Sequence, residues 1–261
     1  MKAKQVLDAL EQYAPLPLQD GFDNAGLQIG LTAEQEVTGA LLCLDVTEAV
    51  IEEAYREGCN LIVAHHPLLF KGLKSITGKG YVERCVIKAI QKGIAIYAAH
   101  TNLDNVQGGV NYRIAEKIGL EKLSFLEAKA ATIPAGAGVI GELPIAEDER
   151  EFLLRLKKLF GIQCIRHNAL RSRKIHRVAL CGGGGGFLLD RAIDQGADAF
   201  LTGEVRYHDY FGHEDDLLIA EMGHYQSEQY TVEIFTEILH SQFPELKIIK
   251  TSLNTNPINY L

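Results

Sequence analysis

Three times this chain passes from a helical pattern through a glycine into a short apolar strand. The segments are Gly58-Cys-Asn-Leu61-Ile-Val-Ala64, Gly93 with Ile94-Ala-Ile-Tyr-Ala-Ala99, and Gly196-Ala-Asp with Ala199-Phe-Leu201. Each glycine suits the left-handed position that closes a helix. Helix and strand alternating over such short links call for parallel pairing with helical crossovers. Strands that are apolar throughout are covered on both faces. The expected fold is α/β with mainly parallel sheets. The remaining elements fit it. Val6, Leu7, Leu10 and Tyr13 share one face of a first helix. Leu41–Leu44 is a strand, and Thr47 with Glu48 opens a helix running to about Glu57. Further on, a helix is expected from about Asp148 to Phe160, strands at Val178–Cys181, Leu217–Ala220 and Lys247–Lys250, and one helix from about Tyr225 to His240.

At 261 residues the chain is near the size at which one core divides into two. Residues 121–138 are small, mixed and include Pro134, so they are expected to connect two similar α/β units. Lys plus Arg is 26 and Asp plus Glu is 34, giving 26 − 34 = −8. That acidic balance argues against a nucleic-acid partner. The one basic stretch, Arg166 to Arg177, reads as a solvated loop before a strand. Cys43, Cys59, Cys85, Cys164 and Cys181 show no CxxC spacing, which favours reduced core thiols over a disulfide framework. Met1-Lys-Ala-Lys-Gln leads into an amphipathic pattern rather than an apolar block, and no run is long enough to span a bilayer. A cytoplasmic protein without a membrane partner is therefore expected.

Candidate chemistry collects where strands end. His65 and His66 follow Leu61–Ala64 directly, and Pro67 stops the ladder there. The carboxyl ends of parallel strands are where α/β folds bind ligands. Asp104 lies shortly after the strand that ends at Ala99. His224 and Glu228, four apart, share one helical face just beyond the strand ending at Ala220. Three imidazoles and two carboxylates exceed one tetrahedral site and suit two metal ions with a bridging carboxylate. Nitrogen and oxygen ligands without thiolate suit Zn, Fe, Mn or Co. The run Gly182 to Gly186 lacks the dinucleotide fingerprint, because Phe187 or Leu188 stands where its third glycine belongs. A tight turn or close backbone approach is the expected role.

Five stretches carry a more specific resemblance: Asp23-Asn-Ala-Gly-Leu-Gln28, Ala64-His-His-Pro67, Ala99-His-Thr-Asn-Leu-Asp104, Thr202-Gly-Glu-Val-Arg-Tyr-His-Asp209 and Gly223-His-Tyr-Gln-Ser-Glu228. With them the chain resembles the YbgI-like dinuclear-metal-centre family, often labelled GTP cyclohydrolase type 2 homologues. The resemblance implies two divalent metal ions on His65, His66, Asp104, His224 and Glu228, with Glu228 bridging. It implies two interleaved three-layer α/β domains. The first would be residues 1–125 completed by 225–261, and the second 126–224. It also implies a ring-shaped homohexamer, a trimer of dimers, and a hydrolase acting on a nucleotide or similar small polar substrate. Metal storage or delivery without turnover, and a regulatory ring, are the alternatives. His100, Glu204 and His208 are expected to orient ligands or turns rather than to bind metal, with proton transfer by His100 or His208 as the alternative. Phe22 stands where family members usually carry Trp, a change expected to bear on packing only.

Overall fold

The computed structural model describes residues 1–30, 34–213 and 215–261. In chain order the elements are α1 (Ala3–Tyr13), β1 (Gly26–Ile29), β2 (Ala40–Cys43), α2 (Glu48–Arg56), β3 (Leu61–Ala64), α3 (Tyr81–Lys92), β4 (Ala95–Ala98) and the single turn α4 (Thr101–Asp104). There follow α5 (Val110–Ile118), β5 (Glu121–Ala128), β6 (Gly136–Asp148), α6 (Glu149–Leu159), β7 (Arg166–His167), β8 (Lys174–Cys181), α7 (Leu189–Asp194), β9 (Ala199–Thr202) and β10 (Leu218–Glu221). The chain closes with α8 (His224–Glu228), α9 (Thr231–Gln242) and β11 (Ile248–Lys250). No helix among the described residues is long and apolar enough to cross a membrane.

The chain divides into two compact units, Met1–Leu103 with Thr231–Pro257, and Asp104–Tyr230 with Ile258–Leu261. The first holds one sheet in the order β1-β4-β3-β2-β11. All its pairs are parallel except β1 with β4. Helices α2 and α3 cover one face, where Val50, Ile51, Val86 and Ala89 meet Leu41, Ile62 and Ile96. Helix α9 packs against β2 and β11, and α1 against α9. Burial on both faces explains why β3 carries no polar residue, each large aliphatic there contributing about 1.5–3 kcal/mol. Thr47 caps α2 by accepting from Val50 N (3.1 Å), and Gly93 closes α3 at φ 65°. Cys43, Cys59 and Cys85 are buried free thiols, and burial pushes Cys85 up to about 11.

The second unit's sheet runs β5-β6-β8-β9-β10-β7. Its centre, β8-β9-β10, is parallel, and the strands flanking it are antiparallel. Helix α7 and Leu188 cover one face over Ala179, Phe200 and Ile219, while α5 and α6 pack against β6 and β8. The junction expected near residue 125 lies at Leu103/Asp104 instead. Residues 121–138 are not a connection, because they supply β5 and the start of β6, paired antiparallel through Phe125↔Val139 and Ala128↔Gly136. The small residues that resemble a linker permit this pairing. A Cβ on Gly136 would meet Glu127 O at 2.5 Å, and one on Gly141 would meet Glu121 O at 2.8 Å.

The single helix expected from Tyr225 to His240 is two helices. Between them Gln229 donates to Phe160 O (3.1 Å) and the Tyr230 hydroxyl to Leu159 O (3.3 Å). These carbonyls at the end of α6 would otherwise lack helical partners. The return into the first unit accordingly begins at Thr231 rather than at 225. The basic stretch Arg166–Arg177 forms β7 and the start of β8, and its cations are neutralised locally: Arg166 by Glu221 (2.7 Å) and Arg177 by Glu142 (3.5 Å).

Candidate functional site

In the first unit, parallel register aligns Cys43, Ala64 and Ala98 at the carboxyl ends of β2, β3 and β4. Whatever follows these residues emerges along one edge. After β2 comes Asp45, after β3 His65 and His66, and after β4 His100. The backbone ladder extends just past the strands, with His65 N donating to Cys43 O (3.2 Å) and Ala99 N to Ala64 O (3.0 Å). His65 is fully buried, while His66 and His100 are half-buried. The ring centroids lie 4.9 Å (His65–His66), 5.3 Å (His65–His100) and 5.5 Å (His66–His100) apart. One nitrogen from each ring lies within 4.8 Å of the other two, so the three could hold a metal ion.

Each ring is oriented through Nδ1. That of His65 donates to Ala99 O (2.9 Å), that of His66 to Asp45 Oδ1 (2.7 Å) and that of His100 to Asp23 Oδ1 (2.7 Å). An imidazole that donates from Nδ1 in its neutral form carries its lone pair on Nε2, the arrangement found behind metal-bound histidines. Burial would raise the Asp23 carboxyl, but hydrogen bonds from His100 and Thr101 outweigh it and hold it at about 2. Asp45 is likewise held below its ordinary value, because bonds from His66 and Thr255 outweigh burial. Both carboxylates are therefore fixed acceptors at neutral pH.

The loop bearing Asp23 is tied to the segment after the histidine pair. Asn24 donates to Leu69 O (2.7 Å), and Gln28 Oε1 accepts from Leu69 N (3.0 Å). Phe22 is 65% exposed, and its ring meets Phe70 at 6.2 Å. Its packing is therefore a surface contact with Phe70 rather than a place in the core.

The second unit repeats the layout. Register aligns Cys181, Thr202 and Glu221 at the ends of β8, β9 and β10. Beyond them lie Gly182–Gly186, Gly203-Glu204 and Met222-Gly223-His224. Here the backbone, rather than side chains, fills the edge. Gly183 N donates to Ser227 Oγ (3.0 Å), and Glu204 N to Gly183 O (3.0 Å). A Cβ on Gly183 would collide with the Glu228 carboxylate, and one on Gly203 would lie 2.9 Å from His224 Cα and Ser227 Oγ. The glycines therefore admit α8, which carries His224 and the buried Glu228. His224 Nδ1 donates to Glu204 Oε1 (3.0 Å), and its Nε2 lies 3.1 Å from Glu228 Oε2. Asp104 opens this unit, and Asn111 accounts for its place. The Asn111 side chain donates to Asp104 O (3.1 Å) and accepts from Gly182 N (2.8 Å).

Of the expected ligands, His65 and His66 thus stand together in the first unit, and His224 and Glu228 stand together in the second. Asp104 is the second unit's first residue. Glu204 orients His224, as expected of it. His100, expected to support the ligands, stands beside His65 and His66 as a third imidazole of the first unit's cluster. His208 is exposed, with ring contacts to Tyr207 (5.2 Å) and Phe211 (6.1 Å) and none to the expected ligands among its described contacts. Sequence reasoning missed Asp45 and Asn111, and it quoted Asp23 within a motif without giving it a role. Asp45 had a usable signal, since it follows an apolar strand just as the histidine pair does.

Fold and site together define a two-unit α/β protein with imidazoles and carboxylates gathered at strand ends, fit to hold metal ions. The profile of Duf34/NIF3 (NGG1p interacting factor 3) matches residues 1–257, and the chain belongs to that family. A protein of Clostridium acetobutylicum called GTP cyclohydrolase 1 type 2 homolog is 33% identical over 268 residues, covering 100% of this chain and 99% of that one. The crystal structure of a hypothetical protein of Staphylococcus aureus matches with a TM-score of 0.92 at 29% identity, covering 100% of this chain and 99% of the other. The protein ybgI shares the fold, with a TM-score of 0.85 at 22% identity over 99% of this chain and 100% of its own.

Proposed function

We propose that this protein is a metal-dependent hydrolase of a nucleotide or similar small polar molecule, with two divalent ions held by His65, His66, Asp104, His224 and Glu228. The observation that supports it best is the shared fixing of Nδ1. His65 uses a backbone carbonyl, and His66 and His224 use Asp45 and Glu204. Outer partners of this kind raise ligand basicity and set the tautomer of metal-bound histidines. The donor set, imidazole and carboxylate without thiolate, fits Zn, Fe, Mn or Co. Two bound ions would lower the pKa of a shared water toward about 7 and polarise an oxygen of the substrate. The chain's own part is to hold the rings: Asp45 and Glu204 keep the two imidazoles in one tautomer, and the glycine run keeps room for the Glu228 carboxylate. The name of the Clostridium relative supports a GTP cyclohydrolase type 2-like substrate. A homohexameric ring, built as a trimer of dimers, and a cytoplasmic location belong to the same reading.

The test is elemental analysis of protein purified without chelator, followed by a turnover screen on nucleotides and phosphoesters. About two ions per chain are expected, and Glu228→Ala should lose both bound metal and turnover. Protein that carries no metal and takes up none on titration overturns the proposal. Readily exchanged metal without turnover would instead identify a storage or delivery protein.

A further inference from the structure

The helical turn Tyr207–Tyr210 and the edge strand β7 frame a cavity that plays no part in holding the metal ligands. Its volume is about 580 Å³, within the roughly 300–1,000 Å³ of small-ligand sites. Tyr207, Tyr210 and Phe211 stand in its wall. Tyr207 and Phe211 are 71% and 58% exposed, so neither serves the core. Their ring centroids lie 5.4 Å apart at 69°. The third ring is preset by charge. The Arg166 guanidinium lies over Tyr210 at 6.0 Å and is held there by Glu221 (2.7 Å) and Val205 O (3.1 Å). Glu221 also accepts from Val205 N (3.0 Å) and the Tyr210 hydroxyl (3.3 Å). The wall is therefore organised before any ligand arrives, which reduces the ordering cost of binding.

Arg166 is the one formal cation among the cavity's described lining residues, and Glu221 pairs with it at 2.7 Å, so the wall offers aromatic faces rather than net charge. Val205 also lines an adjoining cavity of about 370 Å³ that contains Glu204, the carboxylate that orients His224. The ring site and the carboxylate that orients His224 thus share one short segment, residues 204–211.

We infer that this cavity takes the planar heterocyclic ring of a nucleotide, stacked on the face of one of Tyr207 and Phe211 with its edge toward the other. The choice of a nucleotide rests on the proposed hydrolase function. The stacking site itself rests on the exposed rings and the cavity they line. Aromatic side chains serve as sequence-tolerant platforms for bases in this way.

The experiment titrates the intact chain with guanosine 5′-monophosphate and, separately, with ribose 5-phosphate, read by calorimetry and saturation-transfer NMR. The nucleotide should bind at least about tenfold more tightly than the ringless sugar phosphate. Tyr207→Ala and Phe211→Ala should each weaken nucleotide binding about tenfold, with melting temperature and metal content unchanged. Absence of nucleotide binding at millimolar concentration, equal affinity for the two probes, or unchanged binding in both variants overturns the inference. So does a variant that dissociates in sedimentation while binding nucleotide normally, which would make the rings an interface between copies. Binding is read without turnover, so a protein that binds the ring but hydrolyses nothing refutes the hydrolase proposal alone.

Discussion

Past the central strand of its parallel trio, the first unit places His65 and His66, and the second places Gly203 and Glu204 at the corresponding positions. The two edges share a backbone construction and differ in what fills the space beyond it. In the first unit, imidazoles stand directly on the strand ends, each braced by an oxygen from a neighbouring connection. In the second, glycines clear the edge so that α8 can deliver His224 and Glu228 from one side. An α/β edge can therefore present metal-ligating groups by carrying them or by making room for them, and the two routes fail differently under mutation.

The largest expected effect tests the cleared edge. Gly203→Ala sets a Cβ against Gly183 O and His224 Cα, both backbone, and should destabilise by about 3 kcal/mol in chemical denaturation. Gly184→Ala, with open space around it, should stay within about 0.5 kcal/mol. Equal effects at the two positions would break the comparison. The braced edge comes next. Asp45→Asn removes the carboxylate behind His66 and should weaken metal binding about 10–100-fold in a competition titration, with the fold intact. An unchanged affinity would show that His66 needs no brace.

Acid should distinguish the edges further. The Asp23 carboxyl sits at about 2 against an ordinary 3.8, so the folded state favours its charged form. Its contribution is complete above about pH 4 and is lost as pH falls toward about 2. Asp23→Asn should flatten that part of the stability profile, measured as melting temperature against pH, and an unaltered slope would contradict the assignment. The smallest effect is at Phe22, where the exposed ring predicts that Phe22→Ala changes stability by no more than about 0.5 kcal/mol.

Much of the braced edge was legible in the sequence because its parts are contiguous. Leu61–Ala64 runs straight into the histidine pair, and Gly93 marks the helix end before β4. The braces were not, since Asp45 and Asp23 reach their histidines through register and loop geometry across 21 and 77 residues. The close backbone approach of the Gly182–Gly186 run was legible, whereas what approaches it was not. The β5–β6 pair escaped notice because glycines that permit strand crossing and glycines that permit disorder look alike in one dimension. The break at Gln229 and Tyr230 was hidden because apolar periodicity continues across it, and only the end of α6 explains it.

The pairing of β11 with β2 has a consequence for synthesis. Ile248 lies beside Ala40, so the first sheet stays open on that side until the ribosome has passed residue 248. At roughly 5–20 residues per second, the β2 edge waits on the order of ten seconds or more for its partner. The second unit's strands and helices through Tyr230 are all translated before that point. Nascent chains therefore pass through a stage with one sheet complete and the other exposing an unpaired apolar strand, the kind of edge that chaperones guard and that aggregation exploits.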